Sequence, residues 1–156
     1  MNLKFLVVLI LALGAVSASS SQALQKVKWK AYGVQFNAPV GFVVEDDSED
    51  GYIISTKEYY ITVQLLEGDG IKRSELAKDL KNVATDDEVT QQTKVESFET
   101  PQFYVVWLKG NCETDQCMYS YLLDKKEGTG FYLSVIYQKK TDEIPLQILK
   151  SFQLFE

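Results

Sequence analysis

The sequence predicts an α+β fold, a central antiparallel β-sheet of six to eight strands sandwiched by helices, and three observations predict it. Most of the chain after Trp29 is made of short runs that alternate apolar and polar residues between Pro, Gly and acidic turns. Two of those runs, 102–108 and 131–138, are apolar on both sides, and a strand that is apolar on both sides has to be covered on both sides. Two further segments repeat apolar residues every three or four positions, the spacing of one helical stripe.

Taken in order, a first strand is expected over 32–37, ended where Ala38-Pro39-Val40-Gly41 forces a turn. Segments 42–45 and 52–56 bracket an acidic turn. In 60–66, Ile61, Val63 and Leu65 fall on one face and Tyr60, Thr62 and Gln64 on the other. A helix follows, with Ser74 as its expected N-cap and Leu76, Ala77, Leu80, Val83 and Ala84 as its apolar stripe. The polar stretch 89–98 reads as a half-solvated or edge strand, turned by Thr100-Pro101. After 102–108, a strand over 118–123 is joined to 131–138 by the Gly-rich loop 124–130. The closing helix begins near Thr141, takes Pro145 in its first turn and directs Ile144, Ile148, Leu149 and Phe152 inward. Residues 153–155 either lengthen it or add a closing strand.

The N-terminus carries Lys4, then an apolar stretch over 5–16, then small residues. This is the pattern of a secretory signal peptide, too short to span a bilayer comfortably. Residues 1–18 are expected to be removed after Ala18, with Ala23 the second choice of site. A loose lead-in is expected over 19–28 and a single α+β domain over 29–156. The product is then exported, periplasmic or secreted, with no stable membrane insertion.

Composition narrows the function. The chain has 156 residues, 16 Lys plus Arg against 22 Asp plus Glu, and a formal net charge of −6. That charge disfavours nucleic acid, whose phosphates call for a basic surface. There is no His, so the commonest general base near neutral pH and every Ser-His or Cys-His nucleophile pair are excluded. No cofactor is implied, and no catalytic residue can be assigned.

The two cysteines, Cys112 and Cys117, flank four polar residues between apolar runs, where a hairpin would turn. In an oxidising compartment they are expected to bond across that turn. Redox catalysis would prefer Cys-x-x-Cys at a helix N-terminus, and zinc would need more ligands than two thiols.

The element Val34-Gln35-Phe36-Asn37-Ala38-Pro39-Val40-Gly41-Phe42, the helix after the early strands, the long antiparallel meander and the ending Ile148-Leu149-Lys150-Ser151-Phe152 resemble the Mog1/PsbP-like superfamily. The resemblance covers about residues 30–156 and implies a central antiparallel sheet between helices. Members of that superfamily include a nuclear-transport factor that binds a small GTPase, extrinsic subunits of photosystem II and many exported bacterial proteins. No binding residue carries over, because none aligns, and a fold does not by itself fix a function.

Three groups of residues are candidates for function. Tyr59, Tyr60, Tyr104, Tyr119, Tyr121 and Tyr132 are expected to offer a Tyr-rich sheet face or loop rim, since tyrosine is favoured at recognition surfaces. Asp46, Ser48 and Asp50, ahead of Gly51, imitate the first half of a calcium loop, but the twelfth position is Lys57 where a bidentate Glu belongs, so a solvated hairpin tip is the expectation. Asp124 and Glu99 are the acids nearest apolar runs, as an acid–base pair would require. The expected function is a non-enzymatic binding or accessory module for a protein, peptide or glycan. The alternative is a carboxylate-based hydrolase or a small-ligand carrier with a pocket between sheet and helix.

Overall fold

The computed structural model describes residues 22–68 and 70–155; the expected signal peptide lies outside them. Two antiparallel sheets form the architecture. The larger has seven strands in the order β3-β4-β5-β9-β8-β7-β6 and the smaller three in the order β1-β2-β10. The strands are β1 (Leu24–Trp29), β2 (Val34–Pro39), β3 (Val43–Asp47), β4 (Tyr52–Ser55), β5 (Tyr60–Leu65), β6 (Glu96–Glu99), β7 (Phe103–Cys112), β8 (Asp115–Asp124), β9 (Gly130–Tyr137) and β10 (Gln153–Leu154). The helices are α1 (Leu76–Asp86), between β5 and β6, and α2 (Ile144–Lys150), between β9 and β10. The expected fold class is the observed one.

The two-sided strands divide two cores. Along β7, Phe103 and Val105 enter one cluster while Val106 and Leu108 enter the other, and β8 does the same with Met118 and Leu122 against Cys117 and Tyr119. The first cluster is closed by β1, β2 and α2, where Trp29, Phe36, Ile148 and Phe152 are buried. Phe152 sits 5.3 Å from Phe103 and 5.5 Å from Phe131 between ring centres, so one closing aromatic pins the C-terminal segment to the sheet. Each such fully buried side chain contributes about 1.5–3 kcal/mol of hydrophobic stabilisation. The second cluster is roofed by α1 through Leu76, Leu80 and Ala84, the stripe expected from its spacing. The roof of the first cluster is therefore a small sheet with a helix rather than a helix alone.

Several expectations need correction. Residues 24–28, read as part of a loose lead-in over 19–28, join Trp29 in β1 and pair with β2 from Leu24↔Pro39 to Trp29↔Val34. Val27 and Trp29 are buried while Lys26 and Lys28 stay outside, so a two-residue period was present but short. The 32–37 strand starts later, at Val34, because Lys30–Tyr32 make a 3-10 turn closed by Gly33 at φ 65°. Ser74 does not cap α1: Arg73–Glu75 form a 3-10 turn and Glu75 takes the N-cap position without a side-chain bond. Of the expected 89–98 strand only β6 forms. Glu88 and Gln91 adopt left-handed backbone, at φ 61° and 49°, and Thr90 instead bridges Asn111 at the far end of β7. The closing residues add a strand, β10, rather than extending α2.

Candidate functional site

The β7–β8 hairpin is tighter than its sequence suggests. Its strands run on until Cys112 pairs with Asp115, leaving only Glu113 and Thr114 to turn, with Glu113 at φ 55°. Cys117 therefore lies opposite Gly110 and not opposite Cys112, and the Cys112–Cys117 disulfide runs diagonally on one face, with Cα atoms 5.8 Å apart. Residues 89–92 cross that face. A Cβ on Gly110 would come within 2.5 Å of Val89 Cγ1 and 2.8 Å of the Thr90 carbonyl, so only glycine admits the crossing.

The six tyrosines do not form one surface. Tyr119, Tyr121 and Tyr132 share the sheet face under α1, with Tyr132 at 5.7 Å and 6.0 Å from the other two rings. Tyr119 is 8% and Tyr121 7% exposed, because α1 lies over them. The Tyr119 hydroxyl donates to Asp87 Oδ2 at 2.8 Å, tying the end of α1 to the sheet. Burial first, and then that bond, push the Tyr119 phenol well above its usual range. Burial likewise pushes Tyr132 up to about 12, with the Asp87 charge adding to it. Tyr104 is half-buried at the α1 edge, with the Arg73 guanidinium 4.0 Å over its ring. Tyr59 is 6% exposed in the opposite cluster and donates to the Asp142 carboxylate ahead of α2. Tyr60 alone of the six is exposed, at 42%. The expected Tyr-rich face is thus mostly a packing layer, since its rings pair with the helix that covers them.

Tyr60 shows where the free surface lies. Register places Tyr60, Thr62 and Gln64 of β5 on the same face as Ile136, Ser134 and Tyr132 of β9, the α1 side. α1 packs on β7 and β8, and among the described residues the β3–β4–β5 half of that face, which carries Val43, Ile53, Ser55 and Thr62, has no such roof, Val43 being 60% exposed. Beside this open half, at the β7–β8 hairpin end, lies a cleft of about 950 Å³, lined by Asp87–Thr90, Cys112, Glu113, Asp115, Tyr119 and Ile136. A smaller hollow of about 120 Å³ at 56–60 shares Asp115 and Ile136 with it and adds Lys57, Glu58 and Tyr60. The two adjoin as one groove of mixed lining, in which Tyr60 and Ile136 form an apolar step. Among the described residues its charged lining is Asp87, Glu88, Glu113, Asp115 and Glu58 against one cation, Lys57.

The sequence did not single out Glu88, Glu113, Asp115 or Ile136. The acids at 86–88 and 113–115 were visible, but nothing local says that residues 89–92 cross the hairpin and bring the two sets together.

The other candidates are occupied structurally. Asp46 pairs with Ile53 inside the β3–β4 ladder, and Ser48 Oγ accepts from the Asp50 backbone N–H at 3.2 Å. Trp29 Nε1 donates to the Ser48 carbonyl at 2.8 Å and the Tyr32 hydroxyl to the Glu49 carbonyl at 2.9 Å, so the acidic tip is a pinned hairpin turn and not an open calcium loop. Asp124 is buried and accepts from the Lys126 N–H in its own turn. Glu99 is paired with Arg73 at 3.0 Å and Lys125 at 3.6 Å. Among the described residues, no three His, Cys, Asp or Glu side chains come together in a way that could hold a metal.

Comparison with known proteins defines the class first. A family model described as dihydro-orotase-like matches residues 34–141, and the chain belongs to that family. The solved structures then place its architecture. The Ran-binding protein Mog1p of Saccharomyces cerevisiae superposes with a TM-score of 0.56 at 11% identity, covering 86% of this chain and 96% of that one. A mutant form of protein Mog1 gives 0.56 at 10% identity, covering 85% and 96%. The fold is Mog1/PsbP-like. No curated protein matches the chain in sequence.

Proposed function

We propose that this chain is an exported binding module that holds a protein or peptide partner on the open half of its large sheet and catalyses no reaction. The observation that carries this reading is the β3–β4–β5 half-face, which no described helix covers, with the exposed Tyr60 at its border with β9. That Mog1p is described as Ran-binding supports a recognition role for this architecture. The family is described as dihydro-orotase-like. Hydrolysis by an activated water calls for a metal held by several ligands or for a poised base. The chain lacks His, and its acids nearest the apolar runs, Asp124 and Glu99, are engaged in a turn and in ion pairs. The disulfide supports export, as does the leader at 1–18. Among the described residues no helix is long and apolar enough to cross a membrane. Cleavage after Ala18 would leave Ala23 in place, whose carbonyl accepts the Val40 N–H at 3.0 Å.

Two-dimensional NMR of the secreted domain, screened against peptide pools and glycan fragments, tests the reading. Ligand-dependent shifts at Ile53, Tyr60 and Thr62, lost in Tyr60→Ala, are expected. Ligands that bind only the β1–β2–β10 side, or turnover of amide or ester substrates by the pure domain, would contradict it. Mass spectrometry of the exported, unreduced chain should find it beginning at Ser19 and two hydrogens lighter than the dithiol.

A further inference from the structure

We infer that the groove at the hairpin end of the open half-sheet takes a basic amphipathic segment of a partner polypeptide, its apolar side chains on Tyr60 and Ile136 and its lysines or arginines toward the acidic rim. This rests on the binding-face reading above and names the chemistry of the occupant.

The floor and the rim ask for different things. Tyr60 and Ile136 are cross-strand neighbours on the face that α1 leaves open, so they present a continuous apolar step to anything laid across the strands. Around that step stand Asp87, Glu88, Glu113 and Asp115, and the one basic side chain in the groove is Lys57, at its far end. A solitary apolar ligand would leave those carboxylates facing a desolvated surface, whereas an anionic partner would be repelled by them. A segment that alternates apolar with cationic residues satisfies both.

Part of the rim is also held in place before anything binds. The Asp87 carboxylate is fixed by the Tyr119 hydroxyl, and the backbone of Asp115 by its ladder pairing with Cys112. The disulfide and the Thr90–Asn111 bridge hold the two halves of the rim to each other. Little backbone order remains to be lost on binding, which favours affinity and selectivity together. A metal ion is not the occupant that fits, because these acids stand around the groove and do not converge on one point.

The test uses the full secreted domain and a fluorescein-labelled peptide of alternating lysine and leucine, with a glutamate–leucine peptide of the same length as control. Fluorescence anisotropy at low and moderate salt gives Kd. The lysine peptide is expected to bind, more weakly as salt rises, and the glutamate peptide is expected not to. The combined variant Glu88→Gln, Glu113→Gln, Asp115→Asn should weaken binding about tenfold, equivalent to about 1.4 kcal/mol, and flatten the salt dependence. Tyr60→Ala should weaken binding while keeping the salt dependence. If the acid variant folds poorly, Lys57→Gln supplies the reverse test, with tighter binding expected. Unchanged affinity in the acid variant, loss of affinity in Lys57→Gln, or equal binding of both peptides would overturn the inference. A neutral peptide or glycan that engages Tyr60 when the lysine peptide does not would overturn it while leaving the binding face intact. Failure of every ligand to engage Tyr60 would overturn both.

Discussion

Replacing Gly110 by Ala tests the crossing that builds the groove. The new Cβ would be 2.5 Å from Val89 Cγ1 and 2.8 Å from the Thr90 carbonyl oxygen, where ordinary contacts lie about 1 Å further out. Val89 is buried in the second cluster, so moving its side chain disturbs that packing. Thr90 is tied to Asn111 by two backbone hydrogen bonds, of 3.0 Å and 2.8 Å, so its carbonyl cannot retreat without lengthening them. Overpacking of this kind costs about 1–3 kcal/mol, and a weakened hydrogen bond adds about 1 kcal/mol. Alanine's smaller unfolded-state entropy gives back about 0.4–1 kcal/mol. The net expectation is a loss of about 1–3.5 kcal/mol, read as a fall of about 1–2 M in the urea midpoint with the slope unchanged. A loss below about 0.5 kcal/mol would mean that residues 89–92 do not lie on Gly110 and that the acidic rim is not assembled as described.

The other perturbations are more local. Replacing both cysteines by Ser, Cys112→Ser with Cys117→Ser, opens a short loop and should cost about 2 kcal/mol in chemical denaturation, the chain-entropy figure for a closure of this length. Tyr119→Phe removes the hydroxyl that holds Asp87 and should lower stability by about 1 kcal/mol, with faster amide exchange at the end of α1. The buried tyrosines give an alkaline signature. Their folded pKa values are raised above the unfolded 10.0, so their contribution is intact below pH 10. It should be lost as pH climbs toward about 12, where Tyr132 titrates. Urea melts at rising pH, with tyrosinate absorbance recorded in parallel, check that direction.

What was legible in the sequence was whatever repeats locally. The stripe of Leu76, Leu80 and Ala84 and the two-sided alternation of 103–108 specified α1 and the two-core sheet directly, because each residue's face follows from its spacing. The Cys112–Cys117 bond followed from their separation and the compartment expected from the leader. The β1 strand escaped because only Val27 and Trp29 mark its buried side amid lysines, and its partner lies in a different sheet from most of the chain. The tyrosines misled for a related reason: period 2 says that Tyr119 and Tyr121 share a face, but not which helix lies over it. The acidic groove was the least legible feature. It depends on Glu88 and Gln91 leaving the extended region and carrying the chain across Gly110, a long-range contact that no local pattern encodes.

The central claim is that α1 covers Tyr119 and Tyr121 and leaves Tyr60 free to meet a partner. Fluorine NMR of the domain labelled with 3-fluorotyrosine reads this directly, one resonance per tyrosine. A soluble paramagnetic agent should broaden the Tyr60 signal strongly and leave Tyr59, Tyr119 and Tyr121 sharp, and the lysine–leucine peptide should protect Tyr60. Equal broadening of Tyr60, Tyr119 and Tyr121, or a Tyr60 signal indifferent to the bound peptide, would contradict the account.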